Sequence, residues 1–253
     1  MSLVIDQLTF FRQNQKVLDA VSLEIVSQKV IAFLGPNGSG KTTLLKVVMG
    51  LTPLSIKNDH QQHYLRLDDH CLCQKSIAER IAAGIVYMPQ QSILFDELTA
   101  LENIMLIYEY HSFWNNKPRE AFQDFIDPWI EKTAVREALQ TGARFLSGGQ
   151  KRKVELIRTL AMQPKIMLLD EPFAGVDPKS IEEIQDLLSL VAEAGVGILI
   201  SDHHVFQLLH AVDYAYVLVG GVIIAHGMPD AIMHNSEIQD LYLGKKIGYH
   251  RQA

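Results

Sequence analysis

The chain alternates between short, unbroken apolar runs and longer stretches whose apolar positions recur every three or four residues. Val30, Ile31, Ala32, Phe33 and Leu34 form one such run, the pattern of a strand buried on both faces. Ile85, Val86, Tyr87 and Met88 form another, ended by Pro89, and residues 165–169 and 196–200 read the same way. Leu101, Ile104, Met105 and Tyr108 follow helical spacing. So do Val154, Ile157 and Ala161, and again Ile181, Ile184, Leu188 and Val191. Asp177 and Pro178 suit the N-cap and first position of that last helix. Short strands are expected over residues 3–34, a helix over 42–49, and a hairpin over 214–226 that turns at Gly220 and Gly221. The alternation predicts an α/β fold.

Residues 99–145 change character, with helical spacing dominant and Pro118 and Pro128 as punctuation. This predicts a helical subdomain inserted between two halves of the α/β core. The expected organisation is one domain over residues 1–253: residues 1–90 and 151–253 give the core and an N-terminal β subdomain, and residues 91–150 the helical subdomain. Residues 54–75 are polar and weakly periodic, and read as a surface insertion or loose hairpin. No internal repeat is evident.

At 253 residues and 48% hydrophobic, the chain can fill a full core. Its 23 basic and 29 acidic residues leave a net charge of -6, so no nucleic-acid partner is expected. The apolar stretch at 214–225 falls short of the roughly 18 residues a spanning helix needs, so no direct membrane insertion is expected. The start, from Met1 to Asp6, has no basic region leading into an apolar run, so no secretory leader is expected either. Cys71 and Cys73 form a lone C-x-C near His60, His63 and His70. Without a second ligand pair, reduced thiols in a polar loop are favoured over a metal site.

Gly35, Pro36, Asn37, Gly38, Ser39, Gly40, Lys41 and Thr42 fit G-x-x-x-x-G-K-[ST], between an expected strand and an expected helix. Glycines let the backbone curl so that amide hydrogens face phosphate oxygens, and the helix start adds its positive dipole end. Lys41 would reach the β- and γ-phosphates, Thr42 would ligate Mg²⁺, and Thr43 would add a hydroxyl contact. Asp170 and Glu171 end an apolar strand, where ligands bind in open α/β sheets. Asp170 suits Mg²⁺, and Glu171 a general base. Leu146, Ser147, Gly148, Gly149 and Gln150 precede a helix and make a second anion site. One nucleotide does not need two such sites in one subunit, but two subunits packed head to tail would use both.

Taken in order, Gly35 to Thr42, Gln90, Leu146 to Gln150, Asp170 and Glu171, Asp177 and His203 resemble the nucleotide-binding domain of ABC (ATP-binding cassette) ATPases, over nearly the whole chain. The resemblance implies a P-loop NTPase core of the RecA-like type, an N-terminal antiparallel β subdomain, and ATP and Mg²⁺ as cofactors. It implies that Gln90 senses Mg²⁺ and the membrane partner, that Asp177 crosses a dimer interface, and that His203 lies near the γ-phosphate. Spacing from the preceding strand favours His203 over His204. A head-to-tail homodimer would close on two ATP molecules, each between Lys41 of one chain and Ser147 of the other. Integral membrane permease subunits would hold it at the cytoplasmic face of the membrane.

The family stacks adenine on an aromatic residue of the N-terminal sheet. Here that position is Arg12, just after Phe10 and Phe11. Arg12 through its guanidinium plane, or Phe11 after a register shift, are both open. Lys151, Arg152 and Lys153 read as a solvated helix face. Residues 169–178, 201–205, 224–227 and 241–244 resemble lipopolysaccharide-exporter ATPases, to which branched-chain amino acid importer ATPases are similar. A non-transport ABC protein acting on ribosomes or DNA is an alternative, as is a monomeric P-loop kinase, in which residues 146–150 would have no task.

Overall fold

In the computed structural model residues 1–52, 64–114, 122–133, 135–203 and 208–243 are described, with backbone alone at 113, 114 and 241–243. His60, His63, Pro118, His204, Gly244 and much of the polar 54–75 insertion lie outside the described residues.

The N-terminal half opens with two long strands, β1 (Ser2–Arg12) and β2 (Gln15–Val26), where short ones are expected. They pair antiparallel through a two-residue turn whose Gln13 and Asn14 have φ of 47° and 66°. Two left-handed residues in such a turn match the right-handed twist of the flanking strands. Register shifts between Ile5 and Leu8, Leu8 and Phe10, and Phe10 and Phe11 let the strands stay paired while they bend. β1 also pairs with β4 (Leu65–Leu67), which pairs with β5 (His70–Cys71), completing a four-stranded antiparallel sheet.

The larger sheet has β3 (Val30–Leu34) near its middle. Its other strands are β6 (Ile85–Met88), β7 (Ile166–Asp170), β8 (Gly197–Asp202), β9 (Tyr214–Val219) and β10 (Val222–Gly227). The spatial order is β10-β9-β3-β8-β7-β6, with β10 antiparallel to β9 and every other pairing parallel. The carboxyl ends of β3, β6, β7 and β8 therefore share one edge.

The helices are α1 (Lys41–Met49), α2 (Ile77–Ala83), α3 (Ala100–Trp114), α4 (Phe122–Thr133), α5 (Gly148–Leu160), α6 (Pro178–Glu193), α7 (Pro229–Met233) and α8 (Ser236–Leu243). Alternation along β3 explains its unbroken apolar run. Ile31 and Phe33 enter the cluster between the two sheets, with Leu44, Leu45 and Val48 of α1. Val30, Ala32 and Leu34 enter a second cluster on the other face, with Leu156 and Leu160 of α5 and Ile184, Leu188 and Val191 of α6. Each fully buried side chain of this kind stabilises the fold by about 1.5–3 kcal/mol.

The helices between β6 and β7 make a third cluster, in which Ile104, Tyr108, Ile126 and Ile130 meet Val154 and Ile157 of α5 and Ala161 at its C-cap. α5 thus serves two clusters from two of its faces. Phe125 and Trp129 of α4 pack against both the second and the third, so they sit in the seam between core and helical part. Pro128 lies inside α4 rather than ending a helix. Its missing N–H costs one intrahelical bond, offset by the apolar face that its neighbours bury. Among the described residues, no helix is long and apolar enough to cross a membrane.

Candidate active site

β3 ends at Leu34, and the chain then curls around the Lys41 side chain. Lys41 Nζ donates to the carbonyls of Gly35 at 2.6 Å and Pro36 at 3.1 Å. Burial pushes its pKa down, against the opposing pull of Glu171, Asp170 and Asp202. Gly40 caps α1 at φ 113°, with no side-chain bond to the first amides, so the helix start faces outward as an anion site. Two close approaches fix the loop. A Cβ on Gly35 would stand 2.3 Å from the Leu218 carbonyl. The turn after β9 docks there too, with Gly221 N donating to Ser39 O at 3.0 Å. Ser39 Oγ is buried without a hydrogen-bond partner, which a phosphate oxygen in the loop would supply.

The loop opens onto a cleft of about 530 Å³ lined by Asn37, Gly38, Gly40, Lys41, Thr42, Thr43 and Glu171 on one side and Arg12, Gln13, Gln15, Lys16 and Val17 on the other. Arg12 adds cationic charge to that of Lys41, a field that suits a polyphosphate, while Lys16 is paired with Asp19 at 2.9 Å. Arg12 lines the cleft and Phe11 does not; Phe11 is half-exposed beyond the register shift that follows Phe10, and Phe10 itself is in the core. Of the two, Arg12 is the one that faces the cleft.

The acidic pair is built by β7 and braced by β8. Asp170 Oδ1 accepts from Thr42 Oγ1 at 2.9 Å and from Ser201 Oγ at 2.6 Å, while Oδ2 accepts from Tyr87 OH at 3.0 Å. Burial, with Asp170 beside it, pushes the Tyr87 phenol well above its ordinary range, so it stays a donor. Glu171 has φ 48°, a left-handed conformation that costs a non-glycine residue roughly 1–3 kcal/mol. Its Oε2 accepts from Gln90 Nε2 at 2.7 Å, and its Oε1 lies 3.5 Å from His203 Nδ1. The Gln90 amide therefore meets Glu171 rather than Asp170 or Thr42. Thr42 and Asp170 present hard oxygen donors side by side, which suits Mg²⁺. Among the described residues no group of three His, Cys, Asp or Glu could hold a metal. A cation here would draw on a hydroxyl, one carboxylate, water and phosphate, as Mg²⁺ does at nucleotide sites.

The second glycine motif stands apart from this cleft. Ser147 caps α5 in a reciprocal box: its hydroxyl accepts from Gln150 N at 3.2 Å, and Ser147 N donates to Gln150 Oε1 at 2.9 Å. The amides of Gly148 and Gly149 at the first helical positions are left for another acceptor. Gly149 is required for packing: a Cβ there would fall 2.2 Å from Ser180 Oγ. Asp177 caps α6 by accepting from Ser180 N at 3.0 Å, and the Ser180 hydroxyl together with that backbone N–H holds its carboxyl below the usual carboxylate range. The structure thus brings Lys41, Thr42, Asp170, Glu171, Gln90 and His203 to one place, and Ser147 to Gln150 with Asp177 to another.

Three contributors escape sequence reasoning. Tyr87 is a phenol in an apolar strand, and Ser201 a hydroxyl at a strand end; both brace Asp170. The third overturns an expectation. Arg152 and Lys153 are not on a solvated face but only 5% and 4% exposed. Lys153 Nζ meets Glu183 Oε2 at 2.5 Å. Arg152 pairs with buried Glu155 at 2.8 Å and donates to the carbonyls of Pro89, Asp170, Glu171 and Pro172. Burying this pair is costly, and removing one partner costs roughly 3–5 kcal/mol.

Known proteins share both the sequence and the fold. The family described as ABC transporter matches residues 18–174. The lipopolysaccharide export system ATP-binding protein LptB of Haemophilus influenzae is 35% identical, over 93% of this chain and 94% of its own. A probable ABC transporter ATP-binding protein of Azorhizobium caulinodans is also 35% identical, over 92% of this chain and 80% of its own. Among solved structures, a nucleotide-free ATP-binding cassette from an ABC transporter superposes with a TM-score of 0.80 at 28% identity, covering 98% of this chain and all 100% of the other.

Proposed function

The chain belongs to the ABC transporter family and is an ATP-binding subunit with ATPase activity; from that premise we propose that it powers a lipopolysaccharide export system as a head-to-tail homodimer seated on integral membrane permease subunits. The observation that carries the export reading is the 35% identity, across 93% of this chain, to a protein named for that system. The seat would be the cytoplasmic face of the membrane. Half-exposed Ile93 and Phe95, just after Gln90, offer an apolar surface for a permease.

The separation of the two anion sites supports the dimer. A nucleotide in the 530 Å³ cleft is covered on one side only, and the exposed start of α5 needs a phosphate from elsewhere. Head-to-tail packing satisfies both. In this reading Arg12 stacks on the base, and the loop from Gly35 to Thr42, with Thr43, cradles the phosphates. Lys41 neutralises the β- and γ-oxygens. Thr42 and Asp170 would hold Mg²⁺, which when bound would neutralise phosphate charge, while Gln90 holds the Glu171 carboxylate beside them. Glu171 accepts a proton from the attacking water, and His203, 3.5 Å from that carboxylate, faces the departing phosphate. The partner's signature motif closes the site from the other side. ATP favours closure because only the closed dimer contacts it from both sides.

Two experiments test this. Replacing Glu171 by Gln should lower steady-state phosphate release by about 10²–10⁴-fold and trap an ATP-bound dimer in light scattering. Undiminished turnover removes Glu171 as the base. For the transported class, the tagged chain is purified from its native membranes and the co-purifying proteins are identified. Permeases of lipopolysaccharide export are expected. Amino acid permeases would replace export by import, and ribosomes or DNA-repair factors without any membrane protein would sink the transport reading.

A further inference from the structure

Every N–H of the Arg152 guanidinium is used. Nε donates to Pro172 O at 3.0 Å. One terminal nitrogen donates to Asp170 O at 3.1 Å and Glu171 O at 3.0 Å, and the other to Pro89 O at 3.1 Å and Glu155 Oε2 at 2.8 Å. A guanidinium has five donors in a rigid plane, and here five acceptors meet them. Four are backbone carbonyls, which carry no net charge. Charge neutralisation is already complete with Glu155, so the carbonyls need another explanation.

Three of them belong to consecutive residues, 170 to 172. Extended backbone points successive carbonyls to opposite sides, so three can converge on one group only if the chain turns there. The turn is the left-handed Glu171, at φ 48°. Its own N–H is held from the other side by Ser201 O at 2.8 Å. The fourth carbonyl, of Pro89, belongs to the peptide that precedes Gln90, whose amide holds the Glu171 carboxylate. Farther along α5, Glu155 Oε1 accepts from Ile93 N at 3.1 Å and Arg158 donates to Ile93 O at 2.5 Å. Both ends of the loop from 89 to 93 are thus suspended from α5.

We infer that Arg152 is a positioning residue for the ATPase reaction: from the helix that begins with the signature glycines, it fixes the backbone of Glu171 and the register of Gln90 against it. This rests on the reading of Glu171 as the base. The chemistry demands a planar, multidentate donor. A lysine keeps the charge but offers three donors from one point, which cannot span Pro89 and residues 170–172 together.

The test uses the full chain with Arg152→Lys, beside wild type and Glu171→Gln, each measured for ATP-binding stoichiometry by calorimetry and for kcat and KM. Turnover is expressed per ATP-binding site, so unfolded material does not count. Arg152→Lys should lower kcat by about tenfold or more, since small misplacements of reacting groups cost up to roughly 10²-fold, while KM for ATP stays within about twofold. Turnover within twofold of wild type per bound ATP would overturn the inference, as would a loss of kcat matched by an equal loss of ATP affinity. If the lysine variant does not fold, Arg152→Gln combined with Glu155→Gln, which leaves no unpaired buried charge, is read by the same criteria. Wild-type turnover in Glu171→Gln would instead overturn the base itself. Loss in Glu171→Gln with none in Arg152→Lys would leave the base standing and remove the positioning role.

Discussion

At the scale of the residue, the open choice between Phe11 and Arg12 is narrowed by where each side chain goes. Arg12 faces the cleft with Gln13, Gln15 and Lys16; Phe11 does not. A guanidinium over a base at an exposed site is worth about 0.5–1 kcal/mol. Arg12→Ala should therefore raise KM for ATP roughly two- to fivefold with kcat nearly unchanged, whereas Phe11→Ala should leave KM alone; steady-state kinetics of the two variants decides it. Glycines, lysine and paired carboxylates announce themselves in sequence because their spacing is local. Tyr87, Ser201 and Arg152 do not, because their partners are 83, 31 and up to 63 residues away. The charged run at 151–153 misleads for the same reason. Three cations in a row resemble a wet surface until Glu155, Glu183 and four carbonyls are folded against two of them.

At the scale of the element, two helices begin with the same reciprocal cap. Ser76 and Glu79 open α2, and Ser147 and Gln150 open α5. Losing a serine cap costs about 1 kcal/mol, so Ser76→Ala and Ser147→Ala should show similar drops in urea-induced unfolding without nucleotide. Only Ser147→Ala should also lose ATP turnover, because in the proposed head-to-tail dimer only that cap faces the partner's nucleotide. Equal turnover in both would remove the signature serine from the reaction. Most elements were legible because hydrophobic period and punctuation agree. Asp177 and Pro178 start α6, and Gly220 with Gly221 turn β9 into β10. The lengths of β1 and β2 were not legible, since their bulges break the alternation that marks a strand. Nor was the place of Pro128, which sits inside α4 because its neighbours bury an apolar face on both sides of it.

At the scale of the whole molecule, the parallel strands bring their carboxyl ends to one edge, so loops distant in sequence meet there. That convergence could be anticipated from the α/β pattern and the motif order. The division of labour on α5 could not. One helix supplies Leu156 and Leu160 to the core under the large sheet, and Val154 and Ile157, with Ala161 at its C-cap, to the helical part. Any tilt of the helical part must therefore work against packing at the seam, where Phe125 and Trp129 touch both bodies. If ATP closes the dimer by such a tilt, the seam is where solvent exposure changes most. Trp129 then becomes a built-in optical probe. The chain has 2 tryptophans, so ATP added to the Glu171→Gln form should change indole emission in a Trp114→Phe background, where Trp129 is the single indole; unchanged emission there would argue against the tilt. An indole between two packed bodies would turn a mechanical stroke into a colour shift that a fluorimeter reads without any label.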